Sequence, residues 1–87
     1  MVERGDPGDR WQEILDFERR WWQLSTSKEL AIRERFGISP ARYYQLLNRL
    51  IELPEALEFD PMLVRRLRRV REARRKQRFA RRLGLEG

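Results

Sequence analysis

The chain has no cysteine and no histidine. The first absence excludes disulfides and thiolate metal sites. The second removes the usual zinc and haem ligand and the usual acid/base of catalytic triads. Five glycines are scattered along the sequence and build neither a P-loop nor a dinucleotide fingerprint. No apolar run approaches the 18 or so residues of a membrane span. Val2 is followed at once by charge, which does not fit a signal peptide. The carboxylate pairs Glu13/Asp16 and Glu55/Glu58 sit at helical spacing but have no metal-ligating neighbour, so they read as solvated surface and capping charge. Neither catalysis nor a cofactor is expected, and a cytoplasmic location, at the nucleoid, is.

What the chain has is positive charge, unevenly placed. Its 87 residues suit one small domain. Residues 1–60 hold nine Lys/Arg against twelve Asp/Glu, a balance of −3. Residues 61–83 hold eleven Lys/Arg against Glu72 alone, a balance of +10. A polyanionic partner is the simplest reason to gather cations in one segment. Nearly all of them are arginines, which can fork onto phosphates and stack on bases.

Residues 28–51, KELAIRERFGISPARYYQLLNRLI, carry the clearest local pattern. A helix bearing Leu30, Ile32 and Phe36 as apolar contacts ends at Gly37, where a left-handed residue is needed. Ile38 turns back to the core. Ser39 can cap a second helix, and Pro40 fits its first turn. A turn of about three residues containing glycine is that of a helix-turn-helix. On the second helix Tyr43, Leu46, Leu47, Leu50 and Ile51 share one face. Ala41, Arg42, Gln45, Asn48 and Arg49 share the other, with Tyr44 at the boundary. Arginine pairs with guanine, and glutamine or asparagine with adenine. Arg42, Gln45, Asn48 and Arg49 are therefore expected to read bases, and Ser39 and Tyr44 to hold the backbone.

The remaining segments follow from the same signals. Residues 1–8 read as a disordered arm, and Asp9 as the cap of a first helix running to about Leu24. Trp11, Ile14, Leu15, Phe17, Trp21, Trp22 and Leu24 share its apolar half. Trp21-Trp22 could stack on bases, but core packing is the favoured reading. Thr26 with Glu29 forms a capping box for the next helix. Pro54 stops the third, and residues 53–59 connect, with Leu57 and Phe59 able to tuck under the bundle. Asp60-Pro61 starts a fourth, docked through Leu63, Leu67 and Val70. Past Ala73 the apolar pattern fails, and dense like charge should fray the helix until phosphate orders it. Arg68, Arg71, Arg74, Arg75, Arg78 and Arg82 are its expected phosphate contacts. The organisation expected is thus an arm (1–8), a bundle (9–73) and an arginine-rich tail (74–87).

The segments ERRWW at 18–22, AIRERFGIS, RYYQLLN and DPMLVRRLRR resemble a family of small actinobacterial proteins known only as a domain of unknown function. The likeness spans about residues 15 to 82. It implies a helix-turn-helix-like fold and names no activity. A looser likeness reaches the helix-turn-helix of repressors and the promoter-reading domain of sigma factors. The repressor motif commonly holds a small residue four before the turn glycine. Here Arg33 stands there, so close packing requires Arg33 to turn outward and Ala31 to take the crossing.

The expectation is an all-α fold: a tri-helical helix-turn-helix bundle followed by a long basic C-terminal helix. It would bind double-stranded DNA as a transcriptional regulator or nucleoid-associated factor, possible also as a homodimer on paired half-sites. The alternatives are a protein-interaction module of the transcription machinery, anchored by Tyr43, Tyr44 or Trp22, and an RNA- or ribosome-binding protein using the arginine-rich segment.

Overall fold

Two helices and the three-residue turn between them set the frame, and the turn chemistry is visible in the backbone. In the computed structural model, which describes residues 10–84, helix α2 (Lys28–Phe36) ends at Gly37, whose φ of 68° is left-handed. Nothing lies within 4 Å of where a Cβ would sit on Gly37, so conformation, not space, favours glycine there. Ser39 accepts the Arg42 N–H at 3.1 Å and starts α3 (Pro40–Leu50). Arg33 is exposed and Ala31 buried, the arrangement that close helix packing requires.

The other elements are α1 (Trp11–Arg20), a 3₁₀ turn (Trp21–Gln23), α4 (Pro54–Phe59) and α5 (Pro61–Arg82). The fold is all-α, with α1, α2 and α3 forming the tri-helical unit. Phe17, Phe36 and Tyr43 meet at its centre with ring centroids 5.5–5.7 Å apart. Ile14 and Leu15 of α1, Ile32 of α2 and Leu47 and Leu50 of α3 complete that core, with Ile51 just beyond α3. Ala56 of α4 and Leu63 and Val64 of α5 close it from the far side. Asp60 joins two elements: it caps α5 by accepting from Leu63 N–H at 3.3 Å, and its carboxylate takes the Arg19 guanidinium of α1. Arg10 ties the start of α1 to the end of α2, donating to the Arg35 carbonyl at 3.2 Å.

Several expectations are corrected. The first helix stops at Arg20 instead of running to Leu24, and Leu24 is extended at φ −79°, ψ 153°. Trp22 and Leu24 consequently leave the core face, with Trp22 65% exposed. The cap of α2 is Ser27, which accepts Leu30 N–H at 3.1 Å, and not Thr26. Leu30 is exposed, and Ala31 is buried in its place. Residues 54–59 form a short helix whose Ala56 is the buried residue, while Phe59 lies edge-on to Trp11 at 5.3 Å. On α5, Val64 is fully buried, but Leu67 is only half-buried and Val70 is exposed, so the helix leaves the bundle a turn earlier than expected. It then continues unbroken to Arg82, through the stretch whose dense like charge predicts fraying. The arm at 1–8, the Asp9 cap and residues 85–87 lie outside the described residues.

Glu18 is the buried charge in this core, at 4% exposure. Its carboxylate accepts the Tyr43 O–H at 2.5 Å and pairs with Lys28 Nζ at 3.1 Å. One group of α1 thereby holds α2 and α3 together. Burial, and next the charge of Glu18, push the Tyr43 phenol well above the ordinary tyrosine value. The unfolded chain releases that proton near pH 10 and the folded chain keeps it, so stability is full below pH 10 and falls as pH rises beyond it. Glu18→Ala should destabilise by about 3–5 kcal/mol, because it strands partners built around a buried charge. Tyr43→Phe should cost about 1–3 kcal/mol at neutral pH and flatten the alkaline fall, as read by urea melts at pH 7 and pH 11.

Candidate nucleic-acid interface

The outward face of α3 is where the amphipathic pattern places it. Tyr43, Leu47 and Leu50 are buried behind it, and Ala41, Gln45, Asn48 and Arg49 are exposed. Arg42 is half-buried, and its Nη1 donates to Gln45 Oε1 at 3.2 Å, which holds the two side chains together one turn apart. The four residues expected to read bases therefore share a surface. Ser39 is exposed, and its hydroxyl accepts the Arg42 N–H of the helix it starts. Tyr44 is half-buried, edge-on to Tyr43 at 5.3 Å, and carries Lys28 Nζ 5.0 Å over its ring.

The arginines of α5 divide into groups with different surroundings. The C-terminal end of α3 presents carbonyls with no intrahelical donor and the negative end of the helix dipole. Arg68 Nε donates to the Ile51 carbonyl at 2.6 Å, and Arg71 Nη1 to the Asn48 carbonyl at 3.3 Å. Arg71 also pairs with Glu52. These two, expected to hold phosphates, bond to the protein and join α5 to α3. Arg75 pairs with Glu72 at 3.2 Å in an exposed contact of little energetic weight. Arg74 and Arg78 line a groove beside Asn48, and Arg82 is exposed at the end of α5.

That groove, about 530 Å³ in volume, runs between the Trp21–Trp22 turn, α3 and α5. Leu47, Ile51, Leu67 and Val70 are its aliphatic lining, Trp21, Trp22 and Tyr44 its aromatic lining, and Asn48 lines it from α3. The Trp22 indole N–H donates to the Arg19 carbonyl at 2.9 Å, fixing an exposed ring at its edge. The sequence pattern missed this feature because it assigned Trp22 to the core. It also missed Glu18, although the residue stands three and four positions after Leu15 and Ile14 on the same helical face.

A protein-family model described as a protein of unknown function, DUF3263, matches residues 8–79. The chain belongs to the DUF3263 family. The match spans every helix of the bundle and α5 as far as Phe79, so the α3 face and the groove both lie within the family domain. No curated protein and no solved structure matches the DUF3263 chain described here. Among its described residues, no helix is long and apolar enough to cross a membrane.

The hydrogen bond and charge of Arg71 hold the Glu52 carboxyl below the usual carboxylate value. Its contribution is present above the unfolded value near 4.5 and is lost as pH falls through the lower folded value. Arg68→Met should lower stability by about 1.5–3 kcal/mol by uncapping the Ile51 carbonyl. Glu52→Gln should have a smaller effect at pH 7 and diminish further acid loss below pH 4.5, both read by thermal melts.

Proposed function

We propose that this protein binds duplex DNA through the exposed face of α3, as a transcriptional regulator or nucleoid-associated factor. The observation that carries the reading is the joint exposure of Gln45, Asn48 and Arg49 on the second helix of a helix-turn-helix, with Arg42 held against Gln45. That helix is the one which enters the major groove in proteins of this architecture. Amide and guanidinium side chains there can make the bidentate contacts that separate adenine and guanine from other bases. Ala41, small and exposed at the first turn, lets the helix start approach the duplex closely.

Affinity on this reading comes from α5. Arg74, Arg78 and Arg82 are exposed cations, and Arg75 is bound only by an exposed pair that phosphate can displace. Phosphate contacts set affinity and position, while base contacts set sequence preference. Arg68 and Arg71 have a different role: they hold α5 against α3, so that the reading helix and the cationic helix move as one unit. A domain of this size covers few base pairs, so two copies on paired half-sites would extend the recognised sequence.

Gel shifts over a series of salt concentrations, with duplex, single-stranded and structured RNA probes, test the reading. Duplex should bind tightest. Replacing Arg74, Arg75 and Arg78 by Gln should weaken all duplexes alike and reduce the log–log salt slope by about 2–3. Replacing Gln45 and Asn48 by Ala should reduce discrimination between selected and random duplexes more than overall affinity, with a loss of about 1–3 kcal/mol per good base contact. An unchanged salt slope would refute the role given to α5, and tighter RNA binding would refute the duplex assignment.

A further inference from the structure

The groove beside α3 has a chemistry that duplex reading does not use. We propose that it docks an acidic amphipathic helix of a partner protein, with Trp22 and Val70 receiving its apolar face and Arg66, Arg74 and Arg78 its carboxylates. The Trp22 ring is 65% exposed, yet its N–H is already bonded to Arg19. What remains is a fixed apolar plate with no polar group left to satisfy, the kind of side chain that anchors protein interfaces. Val70, 41% exposed, and Leu67, half-buried, line the same groove.

Charge complementarity identifies the occupant. Among the described residues, Arg66, Arg74 and Arg78 have no carboxylate partner, and all three line the groove. The carboxylate in its wall, Glu18, is buried and engaged by Tyr43 and Lys28. The groove therefore shows an apolar lining, part aliphatic and part aromatic, with exposed cations, which matches apolar anchors flanked by Asp or Glu. Its length agrees. Arg66 and Arg78 both line it, and twelve helical residues at ~1.5 Å each span about 18 Å. A guest helix of about three turns fits that span, with anchors at i, i+3/i+4 and i+7. Base stacking would need successive exposed ring faces, whereas the groove's other aromatics, Trp21 and Tyr44, are half-buried and carry Lys28 Nζ over their rings. Because Arg74 and Arg78 serve both partners, docking and duplex binding compete for them, although each stands on separate residues elsewhere.

The full chain, labelled with ¹⁵N, would be titrated with a synthetic helix of about 12 residues carrying leucines at that spacing and glutamates elsewhere. A scrambled peptide of the same composition, lacking the apolar stripe, and a short oligothymidine serve as the other arms. Saturable shifts are expected at the Trp22 indole N–H and the Val70 and Arg74 amides, with the scrambled peptide at least about tenfold weaker. Val70→Gln, which adds no charge beside Arg74, should weaken the striped peptide at least about tenfold and leave duplex gel shifts in place, which separates this inference from the duplex reading. Equal binding of the two peptides, absence of a saturable shift, or an oligothymidine response at Trp22 as strong as the peptide's would overturn the proposal.

Discussion

The buried carboxylate of Glu18 is the contact on which the helix-turn-helix depends. It accepts the Tyr43 hydroxyl and pairs with Lys28, so α1, α3 and α2 meet at one charge. Removing such a charge from water is costly, and the cost is offset only where partners satisfy it with good geometry. Here they do, and the requirement fixes how α3 is rotated about its axis. With Tyr43 turned to Glu18, Gln45 and Asn48 must face outward at 100° per residue. Lys28 is held a second way, with Nζ 5.1 Å over the Trp21 ring and 5.0 Å over the Tyr44 ring. The orientation of the proposed reading face is thus set from inside the bundle.

A second constraint acts at the other end of α3. Arg68 and Arg71 satisfy carbonyls that the helix itself cannot, and in doing so they lay α5 alongside. The arginine-rich helix is then more than a cationic appendage. Its early turns pack through Leu63 and Val64, its middle turns cap α3, and its later turns project cations beyond the core. In the proposed account this division lets one helix serve stability, orientation and affinity in succession along its length. It also leaves the groove between α5 and the Trp21–Trp22 turn open.

Much of the fold was legible because local chemistry and long-range packing agree. Gly37, Ser39 and Pro40 specify a turn whatever surrounds them, and Asp60-Pro61 specifies a helix start. The apolar face of α3 needed only periodicity. The misplaced residues are those whose position depends on a partner from elsewhere. Trp22 looked like core because an unbroken helix would place it there, and the change to a 3₁₀ turn after Arg20 carries no strong residue signal. The sequence pattern assigns Glu18 to neither face of its helix, and only its spacing from Ile14 and Leu15 hints at burial. Arg68 and Arg71 belong to a run of arginines that looks uniform in sequence. Which of them meet α3 carbonyls follows from how α5 crosses the bundle, and periodicity does not report that.

The central claim is that duplex DNA contacts the outward face of α3. Chemical-shift mapping of the full ¹⁵N-labelled chain with a selected duplex tests it most directly. The account predicts the largest changes at the backbone amides of Ala41, Arg42, Gln45, Asn48 and Arg49 and at the side-chain amides of Gln45 and Asn48, with smaller ones along the last turns of α5. Changes confined to α5, with the α3 signals unmoved at saturation, would contradict it.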